Sequence, residues 1–439
     1  MKNLVPPLTL ASAFALVAFS ALANDLGDVR ASAERMEARI VALSEFGSNS
    51  DGGVDRVAYT DADIAGRAYI VSLMEGAGLE VRIDAGGNII GRRAGSDPAL
   101  PIIMFGSHTD SVPGGGNYDG DVGVLSSIEA VELFNEAGIT TRHTLEVIDF
   151  SNEEGGLVGS MALTGKIRPE TLAVTSQSGL TIADGIDRIG GDHSRIAEAV
   201  YAPGDLAAFI EVHIEQGAIL DEEGVNIGVV TGIVGIRWWD VTITGFANHA
   251  GTTPMNRRRD AMVAAAKLTL AINHAALDTP GRQVATVGRI RAEPGAPNVI
   301  PGRVVMSLEI RDLDLAKMDT IFAMVVAAAE AIVKQTGTTI RFDPIETDSV
   351  PELTDARMQA VIAGTAAELG LSYKLMPSGA GHDAQDIATI APTGMIFVPS
   401  KGGVSHSPKE FTAPRDMANG ADVLARAILA IDGGALGDE

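Results

Sequence analysis

Short apolar runs that stop abruptly at carboxylate or imidazole side chains constrain this chain more than any other feature. "PIIMFGSH" ends on His108, "HTLEVIDFSNEEG" runs into Glu153 and Glu154, and "AAFIEVHIEQG" carries His213 near its end. A run that is apolar at nearly every position suits a strand buried on both faces, as in a parallel sheet covered by helices. Helical patterns alternate with these runs, among them "DIAGRAYIVSLMEGAG" with its Gly stop and "VLSSIEAVELFNEAG". Between these, "LEVRIDAGGNIIGRR" reads as two strands about a Gly-Gly-Asn turn. The expected fold class is α/β, a mostly parallel sheet with helices on both faces. Ligands bind such sheets beyond the strand C-termini, and His108, Glu153, Glu154 and His213 all fall there.

The rhythm changes near Ile233. "GIRWWDVTITG" alternates as a half-buried strand and leads into a helix around "RRRDAMVAAAKLTLAINHA". Two strands, "RQVATVGRIRAE" and "GRVVMSLEIRDLD", then the helix "KMDTIFAMVVAAAEAIVKQTG" and the strand "TTIRFDPI", complete a β-α-β-β-α-β order. That is the ferredoxin-like split arrangement. The expected division is a larger domain in two parts, residues 24–232 and 349–439, with a unit of residues 233–348 inserted between them. The first 23 residues read as a secretory signal: Lys2, an apolar segment from Leu8 to Phe19, and a small-x-small pattern with cleavage after Ala23. The apolar run is shorter than the ~20 residues a membrane span needs, so the mature protein is expected to be periplasmic or secreted, with no span.

Composition removes several classes of function. At 439 residues the chain exceeds one ordinary core, and a formal net charge of −24 argues against nucleic acid or an anionic membrane surface as partner. The absence of Cys excludes thiol nucleophiles, disulfides and thiolate metal sites, so any metal must be held by His, Asp and Glu. Neither a G-x-S-x-G elbow, a phosphate-cradling Gly motif nor H-E-x-x-H occurs.

Within "GSHTDSVPGGGNYDG" the glycines permit turns that could bring Asp119 back beside His108, while Asp110 is placed to hold that imidazole in one tautomer. Asp121 is read as structural, favouring the dipole of the helix that follows. Adjacent acids ordinarily mark a solvated loop, but at a predicted crevice one of Glu153 and Glu154 could bind metal while the other stays free as a base. His406, in "GGVSHSPKE", completes a possible ligand set. In the inserted unit, His249 lies in "TGFANHAGTTPM", Asn298 in "PGAPNVIPG" and Arg311 in "LEIRDLD". An Arg at a strand end is as a rule a surface ion pair, and its fork also suits a substrate carboxylate.

Eight segments occur in order from about residue 30 to 430: "GSHTDSVPGGGNYDG", "SNEEGG", "EVHIEQG", "GIVGIRWWDVTITGFANHAGTTPM", "PNVIPG", "LEIRDLD", "GAGHDAQ" and "SHSPKE". Together they resemble the amidase/hydantoinase/carbamoylase group, which holds allantoate amidohydrolases, N-carbamoyl-L-amino acid hydrolases and β-ureidopropionase-like enzymes. That group lies in the di-metal peptidase clan of aminoacylase. The resemblance implies two divalent ions (Zn, Mn, Co or Ni) bridged by Asp119, with His108 and His213 on one and Glu154 and His406 on the other. It implies Glu153 as general base. The inserted unit becomes a lid that forms a homodimer, with His249 reaching the neighbouring subunit's site to stabilise the oxyanion. Arg311 and Asn298 would grip a substrate carboxylate, with Gln216 and the Gly381-His382 turn as further contacts.

The implied activity is hydrolysis of a non-peptide C–N bond in a small N-carbamoyl or ureido compound bearing a carboxylate. The alternatives are an exported aminoacylase or dipeptidase with the same centre, and a periplasmic binding protein that kept the fold without catalysis. "EEGGLVGS" is shorter than the group's pattern and Ile236 stands where Gln is frequent, which with the export signal suggests an exported branch with an altered substrate.

Overall fold

The computed structural model describes residues 25–345 and 349–437. The secretory signal and the boundary at residue 348 lie outside the described residues. Of the nine strands in the larger sheet, four run parallel at its centre, in the order Leu145–Phe150, Ile102–His108, Leu206–Ile214 and Thr393–Val398. Alternate residues of these strands serve two cores. Ile103 and Phe105 pack with Leu125 and Val131 of helix Asp121–Glu136 and Leu424 of helix Pro414–Asp432. Met104 points the other way, into a core with Phe150, Phe209 and Ile387. Helices on both faces explain why the strands are apolar at nearly every position. An antiparallel hairpin, Glu80–Ile83 with Ile89–Arg93, extends one side, and Ile227–Ile233 runs antiparallel to Thr393–Val398 on the other. The molecule is an α/β protein with a mostly parallel central sheet.

After Val234 the chain enters a second, antiparallel sheet, ordered Ile290–Glu293, Arg303–Asp312, Gly235–Thr244 and Thr339–Ile345. Val241, Ile243, Val304, Met306 and Leu308 pack with Leu268 and Ile272 of helix Ala261–Asp278 and with Ile321 and Val325 of helix Leu315–Thr336. The segment read as one strand, "RQVATVGRIRAE", is two: Val284–Thr286 and Ile290–Glu293, both paired with Arg303–Asp312. Gly288 interrupts it, as glycine in a strand interior tends to do. Pairing resumes where Ser307 bonds Arg289 through both its hydroxyl and its N–H. No helix among the described residues is long and apolar enough to cross a membrane.

Asp121 has a stronger tie than a helix dipole. It and Arg56 are each 1 % exposed and form a buried ion pair. The Arg56 guanidinium also donates to the carbonyl oxygens of Thr109 at 2.6 Å, Leu43 at 2.9 Å and Phe46 at 3.1 Å. This bolts helix Asp121–Glu136 to the segment after His108. Removing one partner of a buried pair leaves an uncompensated charge, so Arg56→Leu is expected to cost about 3–5 kcal/mol in urea unfolding. An unchanged midpoint would show that the pair carries no stability.

Candidate metal centre

Two imidazoles arrive at the C-terminal ends of central strands: His108 from Ile102–His108 and His213 from Leu206–Ile214, each 1 % exposed. After His108 the chain doubles back. Gly120 takes φ +68°, and a Cβ there would lie 2.5 Å from the His108 ring, so only glycine lets the backbone pass. The turn sets Asp119 between two histidines, with Oδ1 3.1 Å from His213 Nε2 and Oδ2 3.1 Å from His406 Nε2. One carboxylate thereby serves two ligand groups. His108, Asp119 and His213 form the first and Asp119, Glu154 and His406 the second, each with ligand atoms within 4.8 Å of one another.

Asp110 works differently from expectation. Its carboxylate accepts the backbone N–H groups of Glu153 at 3.0 Å and Glu154 at 3.2 Å, fixing the loop that carries both acids. Its main-chain oxygen, not its carboxylate, lies closest to His108 Nδ1, at 3.1 Å against 3.6 Å. His213 Nδ1 has the same kind of partner, the Ile214 carbonyl at 2.9 Å. With each Nδ1–H donated to a carbonyl, both Nε2 lone pairs are left for a ligand. His213 Nε2 is buried and lacks a hydrogen-bond partner among the described residues, although Asp119 is near. Glu154 Oε1 is 3.5 Å from His406 Nε2, while Glu153 Oε2 is 3.8 Å from His108 Nε2 and belongs to neither ligand group.

The electrostatics match cation binding. Burial pushes Glu153 well above the ordinary carboxylate range and raises Glu154, also beside Asp119, to about 7. Burial would raise Asp119 as well, but His213 and His406 hold it well below its usual value. The hydrogen bond to Asp119 lifts His406 to about 9. Among the described residues, every ion pair of Asp119, Glu153 and Glu154 is with histidine, none with Lys or Arg. Buried acids whose only partners are imidazoles have charge to spare for a cation, and imidazole–carboxylate sets suit divalent metals. The residues fit a two-ion centre.

The sequence profile of peptidase family M20/M25/M40 matches residues 104–430. The chain belongs to that family. An N-carbamoyl-L-amino acid amidohydrolase of Geobacillus stearothermophilus is 40 % identical over 396 residues, covering 89 % of this chain and 96 % of that protein. A ureidoglycolate hydrolase of Arabidopsis thaliana is 37 % identical over 402 residues, covering 89 % and 84 %. The crystal structure of an amidase of the hydantoinase/carbamoylase family from Burkholderia multivorans superposes with TM-score 0.85 at 36 % identity, covering 92 % of this chain and 98 % of that one.

The remaining residues singled out in this M20 chain are placed unequally. Gln216 Nε2 donates to Asp119 Oδ2 at 2.7 Å, so it braces the shared carboxylate. His382, expected as a substrate contact with Gly381, is 1 % exposed; its ring packs edge-on against His213 with centroids 4.4 Å apart, and its Nε2 lies 2.8 Å from Ser378 Oγ. Arg311 forms the ordinary ion pair, donating to Glu309 at 2.9 and 3.1 Å, and also reaches the Gly379 carbonyl, just after strand Tyr373–Ser378, at 2.9 Å. His249 and Asn298 are exposed neighbours, joined where strands Asn248–His249 and Val299–Ile300 pair and the Ala250 N–H meets the Asn298 carbonyl at 3.0 Å. Among the described residues no hydrogen bond or ion pair links either to the imidazole–carboxylate cluster. Sequence reasoning missed Glu410, four residues after His406, which is 5 % exposed beneath the centre. Beside Lys409 in a Pro-containing turn it reads as a solvated acid.

Proposed function

We propose that this M20 hydrolase cleaves a non-peptide C–N bond in an N-carbamoyl or ureido compound that carries a carboxylate, using two divalent ions. His108 and His213 hold one ion, Glu154 and His406 the other, and Asp119 is shared. The observation that carries this reading is the Asp119 carboxylate, whose two oxygens address two separate ligand groups. When bound, such an ion pair polarises the scissile carbonyl and acidifies water at the centre. Glu153 lies beside His108 but outside both groups, so its carboxylate is free to take the proton of the attacking water and return it to the leaving nitrogen. Arg311, at the Gly379 turn, takes the substrate carboxylate in exchange for Glu309, which occupies its guanidinium fork. The relatives named for N-carbamoyl-L-amino acids and ureidoglycolate support this substrate class.

A panel of N-carbamoyl amino acids, ureido acids, N-acyl amino acids and dipeptides, assayed for ammonia and for free amino acid, tests the reading. Ammonia from the carbamoyl or ureido compounds is expected; turnover confined to acyl or peptide substrates would overturn it. Zn, Mn, Co and Ni all suit the donor set, and metal analysis of purified protein selects among them.

The protein is further proposed to be exported and to work as a homodimer in which His249 completes the neighbouring copy's site. The exposure of His249 and its lack of a link to its own chain's cluster support the second point. Mixing inactive Glu153→Gln and His249→Ala proteins should then restore activity, and a mixture that stays inactive contradicts it. Finding the protein uncleaved in the cytoplasmic fraction would contradict export.

A further inference from the structure

We propose that Glu410 is a positioning residue that sets the metal affinity of the His406 half of the centre and so makes the two halves load separately; this rests on the two-ion reading above. The halves are built differently. His108 and His213 sit on central strands, paired opposite Phe150 and Phe397, and both are buried. His406 lies on a loop, its side chain is 49 % exposed, and its φ is +52°, a conformation that side chains other than glycine adopt at a cost.

The Glu410 carboxylate holds that loop. Its Oε2 accepts the His406 N–H at 3.2 Å and the Ser405 hydroxyl at 2.8 Å. Its Oε1 accepts the N–H groups of Tyr118 at 2.9 Å and Asp119 at 3.0 Å. One side chain therefore ties the loop of His406 to the turn of Asp119, across 291 residues of sequence. The Ser405 hydroxyl lies between the two carboxylates, 3.1 Å from Asp119 Oδ2, and its single proton serves one of them at a time. The third glycine of "GGGNYDG" makes room for it: a Cβ on Gly116 would collide with the Glu410 carboxylate. Among the described residues Glu410 has no Lys or Arg partner, and both oxygens are spent on neutral N–H and O–H donors. Its work is to orient. An amide at this position can serve only one of the two donor pairs and turns an N–H toward the other.

Metal-depleted wild type, Glu410→Gln and Gly116→Ala are to be titrated with Co2+ by calorimetry and visible absorption, with thermal melting as the check on folding. Wild type is expected to take up two equivalents. Both variants should keep the first close to wild-type affinity and bind the second about 10–100-fold more weakly, the usual effect of losing a residue that orients a ligand. The absorption change of the second equivalent should move to correspondingly higher cobalt. Two equivalents bound as in wild type, or both weakened alike, overturns the assignment. Should Glu410→Gln fail to fold, Gly116→Ala, which keeps the carboxylate and displaces it, decides the matter. Fewer than two equivalents in the wild type itself overturns the two-ion reading, and this proposal with it.

Discussion

Asp119→Ala is expected to remove both metal ions at once and to bring turnover down to background. Among the described residues no other side chain belongs both to the His108–His213 group and to the Glu154–His406 group. Residues that only orient a metal ligand typically cost 10–100-fold in affinity when replaced, so loss of a shared ligand should weaken each ion by about 10²-fold or more. Elemental analysis after dialysis reads the result directly. His213→Ala is the matched control: it is absent from the group of Asp119, Glu154 and His406, its other neighbours being His108, Glu211 and His382, so the Glu154–His406 pair should keep its ion. An Asp119→Ala protein that still holds two equivalents would sink the shared-carboxylate account.

Glu153→Gln should behave in the opposite way, keeping both ions and losing the reaction. The change is isosteric, and the backbone N–H of residue 153 keeps its bond to the Asp110 carboxylate, so the loop stays in place. What disappears is an acceptor for the proton of the attacking water. General acid–base groups contribute about 10²–10⁴-fold, and turnover should fall within or beyond that range with metal content and melting temperature unchanged. A variant that turns over at the wild-type rate rules Glu153 out as the base. One that also loses metal would make Glu153 a ligand.

The positions of His108 and His213 were legible in the sequence for a physical reason. A strand buried on both faces has an apolar interior, so a polar side chain at its end stands out and lies where parallel sheets place ligands. The run of glycines before Asp119 announced a tight return, although not its destination. Pairings across long separations left no local trace. Arg56 finds Asp121 across 65 residues and Glu410 finds Asp119 across 291; by sequence Asp121 reads only as a helix-dipole residue and Glu410 as a solvated acid. Asp110 shows a finer limit. Its nearness to His108 in sequence suggested that the carboxylate steadies the ring, whereas the fold gives that task to its carbonyl and sends the carboxylate to the Glu153–Glu154 loop, more than 40 residues away. The break at Gly288 was likewise written in the chain, but the alternation around it masked a strand in two pieces.

The most direct test is an anomalous difference map from crystals grown with Mn2+ or Zn2+. Two peaks flanking the Asp119 carboxylate are expected, one against the Nε2 atoms of His108 and His213 and the other against Glu154 and His406. A single peak that leaves either group without a metal contact, or peaks that Asp119 does not touch, would contradict the shared-carboxylate centre.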